Sequence, residues 1–171
     1  LKASGLLDAS DRFIVGINGG TETVDTANLF FPRKAERIYH GLESKSENMT
    51  IEAMHKWALQ NPGWAVFYHH AQGSGHSQKI DYSKFVANWR KAMTEDLILN
   101  WRQCVKDLES GYESVGCHFM RNVGDGTHNI WAGNFFWVTS DFLATLTPIS
   151  ERQQCKISGL ASKEARYEAE M

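Results

Sequence analysis

Apolar positions along this chain come either as short unbroken runs or at helical spacing, and the two kinds alternate. Arg12-Phe13-Ile14-Val15-Gly16-Ile17 is an apolar run that ends in Asn18-Gly19-Gly20 and predicts a strand entering a turn. Residues 19–36 lack a pattern and read as loop, and Arg37-Ile38-Tyr39-His40 predicts a weaker strand. Thr50 can cap a helix that places Ile51, Met54, Trp57 and Ala58 on one face until Asn61-Pro62-Gly63 stops it. Trp64 to His69 is too short for a helix and is flanked by glycine, so it reads as an interior strand. A long helix over about 83–108 carries Phe85, Trp89, Met93, Leu97, Trp101, Cys104 and Leu108 as a stripe for packing on a sheet. Ser114 to Phe119 predicts another strand. After the Gly124-Asp125-Gly126 turn comes an aromatic segment, and Asp141 to Leu146 reads as a short helix closed by Pro148. Strand, helix, strand, helix, strand is the order of an α/β sandwich with a largely parallel sheet.

Composition narrows the class. At 171 residues and 42% hydrophobic, the chain suits one globular domain, residues 1–171, with a full core. Its longest apolar run, Trp64 to Tyr68, is far below the roughly 20 residues of a membrane span. A net charge of −2 supplies no basic field for a phosphate backbone, which argues against nucleic acid as a partner. Cys104, Cys117 and Cys155 are odd in number and widely spaced, which disfavours a disulfide framework and favours buried thiols in a reducing, cytoplasmic setting. The chain opens at Leu1 and ends at Met171 inside a helical pattern, so an outer element is expected beyond each end.

Candidate chemistry lies in two segments. His128 to Trp137 packs a histidine, two asparagines, a glycine and four aromatic side chains into ten residues. Such a stretch either fills a core strand or floors a site where ring faces and amides meet a polyhydroxylated ligand. The second is the polar, glycine-rich exit of the Trp64 to His69 strand, His70 to Ser77. In α/β sheets, ligands bind beyond the carboxyl ends of strands, where glycine lets backbone approach.

These residues resemble bacterial and fungal glycosyltransferase-like proteins. In that family a strand leads into Tyr-x-His-Thr-Lys-Gly and a later segment reads His-x-Ser-Gly-Asn-Phe-Trp-Trp-Ala. The counterparts here are Tyr68-His69-His70-Ala71-Gln72-Gly73 and His128 through Gly133-Asn134-Phe135-Phe136-Trp137. The likeness extends through Ser4-Gly5-Leu6, Glu52 to Trp57, Trp89-Arg90, Tyr112 to Gly116 and Arg166 to Met171, nearly the whole chain. It implies a GT-A-like, Rossmann-like fold that transfers a sugar from a nucleotide-sugar donor to a saccharide hydroxyl. Many such enzymes hold a metal at Asp-x-Asp, a motif this sequence lacks, so the resemblance implies no metal and no further cofactor.

It also implies roles. His70, Gln72 and Gly73 would line the donor, with Arg90 near its phosphates. Gly133, Asn134 and Trp137 would hold the acceptor, and His128 or Glu170 would serve as base. Each has a plainer reading: His70 and His128 as loop caps, Asn134 as a turn amide, Glu170 as an exposed helix carboxylate. Of Phe136 and Trp137, strand alternation sends one into the core. The family lysine and threonine stand as Gln72 and Ala71, which opens an alternative: an inactive descendant that binds a saccharide or a protein. A metal hydrolase centred on His69, His70 and His76 is a third reading, although adjacent strand histidines point apart.

Overall fold

The computed structural model describes residues 1–32, 35–41, 48–70, 80–123, 128–131 and 133–151. Within them the chain is mixed α/β. Strand β1 (Ile14–Asn18) lies parallel to β2 (Glu36–Gly41), with Ile14 opposite Glu36. Parallel neighbours need a crossover, and helix α2 (Thr21–Phe30) supplies it where the sequence reads as loop. The helix is hidden because its apolar stripe is nearly absent: Ala27 is buried while Leu29 is 85% exposed, and its threonines and asparagine are weak helix formers.

Helix α3 (Asn48–Ala58) follows, and Gly16 gives it close approach, because a Cβ there would run into the Thr50 side chain. Strand β3 (Ala65–Tyr68) then pairs antiparallel with β7 (Phe136–Thr139), Phe67 opposite Trp137. On the other side of β7 lies β4 (Ser114–Gly116), also antiparallel, so the order is β3-β7-β4. The expected largely parallel sheet is thus corrected: β3 and β4 do run the same way across their helical connection, but β7 slots between them in the opposite sense. It also puts β3 at an edge of this sheet, not inside it. Strands β5 (Phe119–Val123) and β6 (His128–Trp131) form an antiparallel pair of their own. Trp131 of that pair lies on Gly116, where a Cβ would sit 2.5 Å from its ring.

The single long helix expected between β3 and β4 is broken into α4 (Ile80–Met93), a π-helix (Thr94–Leu99) and α5 (Trp101–Glu109). The wide turn turns both Leu97 and Ile98 inward, beside Met93, Cys104 and Leu108 in the main core. Its carbonyls are taken up by side chains. The Trp137 indole N–H donates to Leu97 O at 2.9 Å and the Cys104 thiol to Asp96 O at 3.5 Å, while Asn100 N–H reaches Glu95 O at 3.2 Å.

The amino-terminal segment joins this core through buried Leu6, the first residue of α1 (Leu6–Ala9), and through the Trp101 indole, which donates to Ser4 O at 3.1 Å. A second cluster packs α3 on α6 (Ser140–Thr145) through Ala58, Val138 and Leu143. Thr139 caps α6, and His55 donates from Nε2 to Leu146 O at 2.9 Å just beyond it. Among the described residues no helix is long and apolar enough to cross a membrane.

Candidate functional site

Because β7 runs against both neighbours, the ends of β3 and β4 and the start of β7 meet at one rim of the sheet. His69 and His70 leave β3 there, Cys117 and His118 leave β4, and Gly133, Asn134 and Phe135 lead into β7. The two segments singled out in the sequence are joined directly: His70 Nε2 donates to Gly133 O at 3.0 Å, and the His70 ring meets the Phe135 ring edge-on at 5.6 Å. His69 stacks on Phe67 at 5.4 Å and tilts against Phe135 at 5.6 Å. Burial, with smaller pushes from His70 and the terminal amino group, lowers the His69 pKa to about 4, so at neutral pH this ring carries no charge for a diphosphate.

Gly133 and Asn134 are consecutive residues in the left-handed region, at φ 91° and 54°. Glycine is required at 133 on two counts. Its φ suits no side chain, and a Cβ there would sit 2.6 Å from the Met93 sulfur and 3.0 Å from the Trp89 ring. Asn134 is 2% exposed, and its amide Nδ2 has no hydrogen-bond partner among the described residues. A buried donor left unmet costs roughly 1–3 kcal/mol, and this amide shares its lack of a partner with Arg37 Nε, His55 Nδ1 and Trp57 Nε1 among the described residues.

The other expected site residues are placed differently. Trp137 is 4% exposed, stacked at 4.9 Å on Phe67, with its indole N–H spent on Leu97 O. It is the inward member of the Phe136/Trp137 pair, which corrects the expectation that it stacks on a sugar. Phe136 is half-buried against Tyr68 at 5.5 Å. Arg90 is exposed on α4, its carbonyl accepting from the Thr94 hydroxyl at 2.8 Å. The backbone of His128 opens β6 opposite Val123, in the hairpin and not at the rim itself. Gln72, Gly73 and Glu170 lie outside the described residues.

Two features of this region escaped sequence reasoning. His118 is exposed at φ 56°, and it and Asn134 are the non-glycine residues with positive φ among those described. In the sequence it sits inside what reads as one strand, with no turn residue to mark the break at Cys117-His118. The second, away from the rim, is helix α2, which follows the Gly19-Gly20 turn that the sequence does predict. Cys104 bears out a buried thiol, whereas Cys117 is half-buried; desolvation pushes both up to about 11, far from a nucleophile's range. No group of histidines, cysteines and carboxylates suited to a metal ion occurs among the described residues. No family model, curated protein or solved structure matches the chain.

Proposed function

We propose that the chain is a GT-A-like sugar-transfer domain that moves a sugar from a nucleotide-sugar donor to a saccharide hydroxyl without a metal. The donor diphosphate lies at the end of β3 by His70, and the acceptor lies over Asn134. The hydroxyl oxygen attacks the anomeric carbon and the bond from that carbon to the diphosphate oxygen breaks. The hydroxyl proton passes to a base, for which His128 and Glu170 are the candidates. Arg90 and His70 offset charge on the departing diphosphate.

The observation that carries this reading is the 3.0 Å bond from His70 to Gly133 O, beside the unmet Asn134 amide. It brings together the two segments on which the family resemblance rests. The parallel β1-α2-β2 crossover adds support of another kind, since such units are the building blocks of Rossmann-like folds. The test is a melting curve in a metal chelator with uridine or guanosine diphosphate at millimolar concentration. A nucleotide at a hundred times its Kd stabilises by about 2.7 kcal/mol, or about 5–10 °C at this size. No shift overturns the reading, and a shift that requires added manganese overturns its metal-independent part. Gln72 and Ala71, where the family carries lysine and threonine, favour a second reading as an inactive saccharide-binding descendant. Donor hydrolysis that appears only in Gln72→Lys would select it.

A further inference from the structure

Asn18 is the last residue of β1, and Gly19 and Gly20 carry the chain from there into α2. Of the nine asparagines in the sequence it alone precedes glycine; the others precede leucine, methionine, proline, tryptophan, valine, isoleucine or phenylalanine. That difference bears on reactivity. The main-chain nitrogen after an asparagine can attack the side-chain amide carbon, and glycine leaves that nitrogen unshielded because it has no Cβ. Asn18 is exposed to water, and the regular pairing of β1 with β2 breaks between Ile17 and Asn18, so the reacting pair lies where the ladder is already irregular. Gly19 has φ 142°, and a Cβ there would sit 2.5 Å from the Thr23 hydroxyl oxygen and 2.8 Å from the Thr23 Cβ. The join itself therefore excludes the kind of bulky neighbour that follows every other asparagine.

From this juxtaposition we infer that Asn18-Gly19 is a site of spontaneous covalent modification, at which the Asn18 amide is lost and the join from β1 to α2 is converted to aspartate and isoaspartate. The Gly19 nitrogen forms a bond to Asn18 Cγ while the bond from Cγ to Nδ2 breaks, and the displaced nitrogen leaves as ammonia with the proton given up by the Gly19 amide. Water then opens the cyclic imide. Addition at Cγ gives aspartate with the main chain intact, whereas addition at the main-chain carbonyl carbon gives isoaspartate, whose chain is lengthened because it runs through Cγ. Both products place a new negative charge just before the amino end of α2, where the helix field favours it. The aspartate form therefore keeps the fold. The isoaspartate form must shift either the pairing of residue 18 with Gly41 or the contact of Gly19 with Thr23. None of this depends on the sugar-transfer reading.

The test is to hold the native protein in mildly alkaline buffer at body temperature for several weeks and to map samples by peptide mass spectrometry. The Asn18 peptide should gain the mass of an amide turned to an acid before any other asparagine does, and faster as the pH is raised. An endoprotease that cuts before aspartate but not before isoaspartate should cleave part of the converted fraction and leave the rest. Asn18→Gln, whose attack would need a larger ring, should keep its mass under the same conditions. Fresh Asn18→Asp should melt close to fresh wild-type protein, and the isoaspartate fraction, once separated, should melt below both. An Asn18 that stays intact in the native protein, whether or not the free peptide deamidates, overturns the inference, as does earlier loss at another asparagine. An isoaspartate form that melts with Asn18→Asp overturns the shift expected at the join.

Discussion

Replacing Trp137 with phenylalanine separates a core residue from a ligand platform. In the structure the indole is 4% exposed, stacked on Phe67 at 4.9 Å, and bonded to the carbonyl of Leu97, itself 1% exposed, inside the π-helix. Phenylalanine keeps a ring in the stack but removes the N–H and the pyrrole portion. Stranding a buried carbonyl costs roughly 1–3 kcal/mol. The volume lost is a modest fraction of a full aromatic truncation, which costs about 3–5 kcal/mol, so it adds about 1 kcal/mol. Trp137→Phe should therefore lose about 2–4 kcal/mol in urea unfolding with an unchanged m-value, a fall of about 4–16 °C in melting temperature. Amide exchange should find the Trp137 indole proton among the best protected in the wild type. A loss below about 1 kcal/mol, accompanied by weaker glycoside binding, would show that the ring faces ligand in solution and refute the packing described here.

Gly133→Ala should lose about 2–4 kcal/mol, from an alanine forced to φ 91° and a methyl driven toward the Met93 sulfur at 2.6 Å. Gly63→Ala, at φ 78° with open space around it, should lose only about 1 kcal/mol, and equal losses by urea unfolding would refute the collision. Stability should also fall as pH drops from about 6.5 to about 4. The unfolded chain takes up the His69 proton first, while burial holds the folded ring near 4, so protonation favours unfolding across that window by at most about 3 kcal/mol. His40, also lowered by burial, adds in the same direction. His69→Phe should flatten the slope measured by urea unfolding at stepped pH, and a wild-type slope that survives the substitution would assign the effect elsewhere.

Some of this architecture was legible because local signals agree with tertiary need. Trp64 to Tyr68 is apolar and glycine-bounded, and β3 spans Ala65–Tyr68. Asn61-Pro62-Gly63 stops α3 near Ala58, and Asp141 to Leu146 anticipates α6 to within a residue. Helix α2 was not legible, because among its residues whose burial is described Ala27 is the buried one, and a single such position leaves no stripe to read. Strand direction was hidden for another reason: alternation of strands and helices sets the sense of β3 against β4 but is silent about a later strand inserted between them. The π-turn was hidden because Leu97 and Ile98 both fit an ordinary apolar face in the sequence. At the rim, the meeting of His70 with Gly133 follows the pattern of strand-end loops, whereas period-two alternation could say that one of Phe136 and Trp137 points inward without saying which.

The rim is shaped from behind. Widening the helix at Thr94–Leu99 presents the Leu97 carbonyl to the sheet, and the Trp137 indole that answers it fixes the depth of β7. Once β7 is fixed, Met93 and Trp89 press on residue 133 so closely that only glycine fits, and the chain must turn left-handed there and again at Asn134. That turn carries the Asn134 side chain into a 2% exposed position with its amide unmet. Strain of about 1–3 kcal/mol at a left-handed non-glycine residue and a stranded donor of similar cost are penalties a fold sheds wherever it is free to, because substitutions that relieve them are common. Here both fall within a few residues of each other, and the strain recurs at His118 on the same edge while the core behind is closely packed. Packing alone would be served by glycine at 118 and an apolar or small residue at 134. The side chains actually present are hydrogen-bonding ones at the end of a sheet.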